Sequence, residues 1–331
     1  MMPISPRKLL LSAAAAVLLV SGPALAKDIT VAHAKGETVV RGTPGKVAVF
    51  DLATLDILDA LGVEAVAGVP KGADGKGNFP PHIARYADAR YGNIGTLFEP
   101  DMAALAGLKP DLIFIGGRSS RQYDALAAVA PTIDMSPSNP DLAAAAAANT
   151  RTLGRIFGVE DRAETRIAEF EALLSDLRAE AGQAGTGLLL FAAGQGVSVH
   201  APGDRFGTVY DFVGIRPAVA PAVPSADGSR PAAGSPEADA ARQKRAEALA
   251  AALGTEPDWL FIIDRSAATG SPPSPIEQRL AADERVAATQ AWKAGRVVYL
   301  DPKGWYLVGA GIDALSQSAR DTLATMRAAP R

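Results

Sequence analysis

Four short phrases of the chain combine turn-forming residues with charged or aromatic side chains. Gly116-Gly117-Arg118-Ser119-Ser120-Arg121-Gln122-Tyr123 sets two arginines and two hydroxyls directly after paired glycines. Arg265 and Ser266 keep the same register in Ile263-Asp264-Arg265-Ser266, without the glycines. Arg205 is presented by Val199-His200-Ala201-Pro202-Gly203-Asp204-Arg205-Phe206-Gly207, a segment shaped by proline and glycine. In Tyr299-Leu300-Asp301-Pro302-Lys303-Gly304-Trp305-Tyr306-Leu307 a proline-glycine turn precedes two aromatics. A guanidinium is a permanently charged fork of donors, so its natural ligands are oxygen anions. One arginine alone is most often a solvated charge or the partner of a neighbouring aspartate; three in matching strand-end loops point to a shared ligand. Asp204 and Asp264 either orient the adjacent guanidinium or are solvated neighbours. Aromatics after a strand are more often core than ligand contacts, and the turn ahead of Trp305 and Tyr306 leaves an exposed position open to them.

The elements that position these groups follow from a repeated phrase. Pro110-Asp111-Leu112-Ile113-Phe114-Ile115-Gly116-Gly117-Arg118 recurs as Pro257-Asp258-Trp259-Leu260-Phe261-Ile262-Ile263-Asp264-Arg265, with the arginine eight residues after the proline both times. An unbroken apolar run after a proline reads as a strand buried on both faces of a parallel sheet. Each arginine then lies at the carboxyl end of its strand, where open α/β sheets bind ligands. Two such units predict two lobes facing a common cleft.

Periodicity fills in the rest. Residues 27–45 suit an edge hairpin or arm, 47–50 and 63–69 strands, 52–61 a helix closed by Gly62, and 103–108 and 122–129 short helices. Asn139 with Pro140 is the expected start of the next helix. Residues 160–182 form one long amphipathic helix, with Ala163, Ile167, Phe170, Leu173, Leu174 and Leu177 on one side. A rigid helix between two lobes restricts their relative motion far more than a flexible linker. The second lobe repeats the pattern: a strand at 187–192, and Asp211-Phe212-Val213-Gly214-Ile215 echoing Asp59-Ala60-Leu61-Gly62-Val63. Residues 217–236, rich in proline, alanine, glycine and serine, read as an irregular excursion. Helices at 240–253 and 312–326 and a strand at 297–300 complete the lobe. The expected organisation is a signal peptide at 1–26, a first α/β lobe at 27–158, a connecting helix at 159–183 and a second α/β lobe at 184–331.

Composition bounds the function. The chain of 331 residues is 48% hydrophobic and 21% charged with a net charge of −3, so each half is long enough to bury a core and nothing favours nucleic acid or an anionic membrane. Arg7 and Lys8, the apolar run at 9–20 and Ala24-Leu25-Ala26 form a secretory signal with cleavage after Ala26. The apolar run of about a dozen residues is too short to span a bilayer. The chain has no cysteine, hence neither disulfides nor a lipid-bearing thiol. An exported, untethered protein fits the periplasm.

Taken together and in this order, the four phrases resemble the signature of periplasmic iron-siderophore binding proteins of ABC importers, of the ferric-catecholate (petrobactin and enterobactin) type. The resemblance covers nearly the whole mature chain. It implies the class III architecture, two α/β lobes bridged by a single long helix. It also implies that Arg118, Arg205 and Arg265 bind catecholate oxygens in the cleft and that Tyr306 can bind iron through its phenolate, with Trp305 stacking beside it. No intrinsic cofactor is implied: ferric iron arrives as the siderophore complex, and the partner of this expected monomer is an inner-membrane ABC permease. A ferric tris-catecholate carries three negative charges that three guanidinium groups would neutralise, and a tyrosinate is the hard oxygen donor ferric iron favours.

The chain departs from the family pattern twice. Members that bind iron directly add a histidine before a glycine in the second lobe, whereas the corresponding loop here reads Pro224-Ser225-Ala226-Asp227-Gly228-Ser229. Asp227 stands as a substitute oxygen ligand, or the loop holds none. The chain's histidines, His33, His82 and His200, are expected on loops or the surface. The family's permease-docking glutamates align with Ala103 and Ala250; Glu99 and Glu247, one helical turn earlier, either take the role or are ordinary surface charges. Other classes fare less well. A zinc or manganese carrier needs more histidines; haem or a hydroxamate chelate remains the alternative ligand; and no nucleophile with a base and orienting acid supports an enzyme.

Overall fold

The computed structural model describes residues 28–137, 140–194, 196–222, 232, 234–271 and 275–330. The expected signal peptide, Asn139 and the 224–229 loop with Asp227 lie outside the described residues. β1 (Ile29–His33) and β2 (Gly36–Val40) form an antiparallel hairpin. β3 (Val47–Val49), β4 (Val66–Val69), β5 (Gly92–Asn93), β6 (Leu112–Ile115) and β7 (Thr132–Asp134) make a parallel sheet in the order β5-β4-β3-β6-β7. The second sheet is built from β8 (Thr186–Ala193), β9 (Gly196–His200), β10 (Arg216–Pro217), β11 (Trp259–Asp264) and β12 (Val297–Tyr299). Its parallel order is β10-β8-β11-β12, with β9 antiparallel beside β8.

The repeated apolar runs are buried on both faces, and their alternation sorts the cores. Val47, Val49, Leu112 and Phe114 from the first sheet join Leu189, Phe261 and Ile263 from the second in one continuous core. Ala48, Ile113 and Ile115 pack on the opposite face of the first sheet, and Leu188, Leu190, Leu260 and Ile262 on that of the second. Each lobe therefore has a private layer and a shared one. The prolines' companions explain why the phrase recurs: Asp111 Oδ2 accepts the Gly45 and Lys46 amides at 2.9 and 2.8 Å, and Asp258 Oδ2 accepts the Thr186 amide at 2.7 Å. Each aspartate thus pins the start of the neighbouring strand.

Helix Glu160–Ala181, 22 residues or about 33 Å long, follows the last strand of the first sheet and precedes the first strand of the second. It buries Ala163, Ile167, Phe170, Leu174 and Leu177 in the shared core. Its charged face serves both lobes. Arg162 donates to the Leu61 carbonyl and Arg178 Nε to the Phe212 carbonyl at 3.3 Å, so the two similar helix endings, at Gly62 and Gly214, are each closed by an arginine of the same helix.

Several expected boundaries move: the 240–253 helix already begins at Pro236, with Ser235 Oγ accepting the Ala238 amide at 3.2 Å, and the 122–129 helix runs only Tyr123–Ala127. Helix Leu142–Phe157 starts on Asp141, whose Oδ1 accepts the Ala143 and Ala144 amides at 2.9 and 3.1 Å, because this carboxylate satisfies first-turn donors that the Asn139-Pro140 start was expected to serve. β4 starts at Val66 and not Val63, because the Val63 amide is spent on the Leu58 carbonyl in ending helix Leu52–Ala60.

One contact across the lobes stands out. Asp56, on helix Leu52–Ala60, is wholly buried and accepts the Asp313 and Ala314 amides, each at 2.9 Å, at the start of helix Ile312–Ala328. His82 Nε2 lies 2.7 Å from Asp56 Oδ2, the oxygen that also accepts the Ala314 amide. Burial works against the Asp56 charge, yet the two amides facing it can act only as donors, and the helix N-terminus favours an anion. We therefore take Asp56 as ionised, with its hydrogen bond holding His82 above the ordinary 6.5. Asp56→Ala is expected to cost roughly 3 kcal/mol in urea unfolding; an unchanged midpoint would contradict the tie. Because the folded pKa of His82 is raised, its contribution is complete below 6.5 and lost as pH rises through the folded value. The stability gap between wild type and His82→Gln should therefore be widest in acid and close with rising pH.

Candidate ligand-binding site

Arg118 leaves β6 through a turn that needs its glycines. A Cβ at Gly116 would lie 2.8 Å from Asp51 Cγ, and Gly117 has φ +26°. The turn is held from β7. Ser136 Oγ accepts the Gly117 amide at 2.8 Å, lies 2.9 Å from Ser120 Oγ and donates to Asp134 Oδ1 at 2.5 Å. Asp134 and Ser136 have no distinctive spacing, so sequence reasoning missed this support. Arg265 opens helix Arg265–Ala268, capped by Asp264, whose Oδ1 accepts the Ser266 amide at 2.9 Å. Asp204 Oδ2 accepts the Ala201 amide at 2.8 Å in the turn before Arg205. Both aspartates shape backbone, and neither is ion-paired with the arginine that follows it.

Tyr306 lies in a short π-helical turn, Gly304–Val308, and all three arginines gather around it. Arg265 Nε donates to the phenol oxygen at 2.9 Å. Arg118 reaches across from the first lobe to donate to the Leu307 carbonyl at 3.0 Å and to the Tyr306 carbonyl. The guanidinium carbons of Arg118, Arg205 and Arg265 stand 5.8, 5.1 and 5.6 Å from the Tyr306 ring centre, within cation–π range. Among the described residues no carboxylate forms a salt bridge with any of them. Burial and the charge of Arg205 push the pKa of Arg118 below its usual value. For Tyr306 burial acts upward, but the Arg265 hydrogen bond and the three positive charges outweigh it, leaving the phenol more acidic than usual.

Aromatic rings flank the phenol. Phe191 of β8 stacks on Phe206 at 4.9 Å, His200 of β9 meets both edge-on at 5.1 and 5.4 Å, and Tyr306 lies 6.1 Å from Phe206. His200 is thus part of this cluster and not a surface residue, its pKa lowered by burial. His33 is bonded to Thr38 at 2.9 Å in the hairpin. Among the described residues no group of three or more histidines and carboxylates is placed to hold a metal ion. A cavity of 440 Å³ near β9, lined by Val199, Ala218, Val219 and Ala251, contains none of the three arginines. Charge, not volume, marks the site.

Comparison with known proteins bears on this arrangement. The family model described as periplasmic binding protein matches residues 47–303. The chain belongs to the periplasmic binding protein family. This periplasmic binding protein is 31% identical to the petrobactin-binding protein YclQ of Bacillus subtilis over 89% of its own length and 87% of that protein's. The YclQ crystal structure superposes with a TM-score of 0.76, covering 91% of this chain and 99% of that one. The ferric-anguibactin-binding protein FatB of Vibrio anguillarum is 29% identical, covering 88% and 85% of the two chains. The periplasmic catecholate-siderophore binding protein VctP of Vibrio cholerae is 28% identical with a TM-score of 0.75, covering 91% and 100%. Among the described residues no helix is long and apolar enough to cross a membrane.

One expected contact of this binding protein is corrected. Trp305 is 5% exposed, donates its indole N–H to Ser318 Oγ at 2.8 Å and packs edge-on against Phe212. Neighbouring positions of the turn point in different directions, so Tyr306 faces the arginines while Trp305 joins the core and has no face to offer a ligand. Glu99 and Glu247 are both exposed, Glu247 on helix Pro236–Leu253 beside Gln243 and Glu99 before helix Met102–Leu108. Removing the direct donor tests the phenol's environment. In Arg265→Ala the ultraviolet titration of Tyr306 should shift upward relative to wild type, and an unchanged titration would contradict the assigned electrostatics.

Proposed function

We propose that this protein captures a ferric catecholate siderophore in the periplasm and hands it unchanged to an inner-membrane ABC permease. The observation that carries the reading is the set of three guanidinium groups, without a carboxylate salt bridge among the described residues, converging on one acidified phenol. Such a concentration of unneutralised positive charge calls for an anion, and a ferric tris-catecholate is a trianion with oxygens at its rim. The named ligands of YclQ, FatB and VctP favour an iron chelate over haem. The lobes, 27–158 and 184–331 joined by the connecting helix 159–183, present Arg118 from one side and Arg205, Arg265 and Tyr306 from the other.

Arg118, anchored on the Tyr306 and Leu307 carbonyls, serves as fixed positive charge. Arg205 is exposed and directs its donors to the catecholate rim, and Arg265 exchanges its bond to the phenol for the ligand. The aromatic rings around Tyr306 offer the bound complex an apolar flank to pack against. When all six iron positions are filled by the siderophore, Tyr306 contributes a hydrogen bond; when a bis-catecholate leaves positions open, its lowered pKa eases loss of the proton and the phenolate binds iron. Asp227 is the second oxygen donor offered to such an open complex. Glu99 and Glu247 are the exposed carboxylates offered to the permease, and the carrier acts as a monomer without catalysing a reaction.

Arg205→Ala and Arg265→Ala should each weaken binding of a ferric tris-catecholate about 10- to 100-fold, the equivalent of one charge-assisted hydrogen bond, with circular dichroism unchanged. Tryptophan fluorescence quenching reads the affinities. Equal affinity for wild type and the triple arginine variant would remove the pocket assignment.

A further inference from the structure

Beside the arginine cluster lies a second space of different character. A cavity of 300 Å³ is walled by Pro70, Lys71, Gly72, Asp74 and the Gly77–Phe79 stretch of one loop, by the 96–98 segment, and by Leu52 and Leu307. Leu307 follows Tyr306, and its carbonyl holds Arg118, so the cavity adjoins the charged site on its first-lobe side.

Its walls are tied in place from both lobes. The Gly72 amide donates to the Gly95 carbonyl at 2.9 Å and the Lys71 amide to Asn93 Oδ1 at 3.1 Å. Asn78 Nδ2 donates to the Ala268 carbonyl at 2.7 Å, and Lys303 Nζ to the Phe79 carbonyl at 2.9 Å. Ala268 ends the helix that Arg265 begins, and Lys303 directly precedes the Tyr306 turn. The same two elements therefore place the charged site and brace the cavity.

The electrostatics of the two spaces are opposite. Lys71 is the cavity's one lysine or arginine, and it is 5% exposed with its ammonium spent on the Ala87 and Asp88 carbonyls at 3.1 and 2.6 Å. The ionisable group left facing solvent is the exposed Asp74 carboxylate. Phe79, Phe98, Leu97, Leu52 and Leu307 supply apolar wall, with Thr96 and Asn78 as polar groups. An anionic chelate is thus drawn to the arginines, while an anionic substituent gains nothing here.

We propose that this annex receives the linker joining the chelating groups of the bound siderophore, and that it selects extended, apolar linkers that are cationic or neutral over anionic ones. The proposal rests on the functional reading above and adds what distinguishes one catecholate from another. Its test uses hexadentate ferric tris-catecholates with the same chelate and three linkers: a compact neutral ring, an extended chain with a secondary amine, and the same chain with a carboxylate. Wild type should prefer the extended amine over the extended carboxylate. Asp74→Lys, at an exposed position, should shift that preference about 5- to 10-fold toward the carboxylate. Leu97→Trp should fill the annex and lower affinity for the extended amine relative to the compact ring about tenfold, with circular dichroism confirming the fold. Binding of all three chelates with ratios untouched by either variant overturns the annex while leaving the arginine site standing. Failure of wild type to bind any of them overturns the functional reading and the annex with it.

Discussion

Beside the core that the two lobes share, a buried carboxylate ties them together. Asp56 brings a charge into a fully buried position, where the amides of Asp313 and Ala314 and the imidazole of His82 compensate it. The three groups come from different parts of the chain, so the first helix of one lobe, the short helical segment carrying His82 and the closing helix of the other must be placed together or not at all. The closing helix begins directly after the Tyr306 turn. Fixing its N-terminus therefore fixes the phenol relative to Arg118, whose strand belongs to the opposite lobe. The long helix adds the same constraint at larger scale through Arg162 and Arg178, one arginine closing a helix in each lobe.

That frame allows the site to hold what a looser structure would not. Three guanidinium groups within about 6 Å of one ring centre repel one another, and a flexible cleft would splay them apart. Here Arg118 is anchored to backbone carbonyls and Arg265 to the phenol, so the like charges are held together in position to face an anion. This is preorganisation: the conformational cost of gathering charge is met during folding and not on binding. A protein stabilised in this way should gain stability from its ligand in proportion to the logarithm of ligand concentration.

Much of this was legible in the residues. The repeated proline-aspartate phrase located both central strands and put Arg118 and Arg265 at their carboxyl ends, because a buried parallel strand leaves an unmistakable apolar run. The long helix was equally plain from the spacing of Ile167, Phe170, Leu174 and Leu177. What stayed hidden depends on contacts between distant residues. Nothing local marks Asp56 as a cap for residues 313 and 314, Ser136 as the brace of the Arg118 turn, or His200 as a ring in an aromatic cluster. Trp305 shows the limit most clearly: adjacent aromatics in a turn look alike in sequence, yet the path of a π-helical turn sends one to solvent-facing charge and the other to Ser318.

The central claim is that positive charge, not shape alone, selects the ligand. Its most direct measurement is a parallel fluorescence titration of the purified protein with a trianionic ferric tris-catecholate and an uncharged ferric tris-hydroxamate. The account predicts saturable quenching by the trianion and little or none by the neutral complex, with the trianion's affinity falling as salt is raised. Equal, salt-independent binding of both would contradict it.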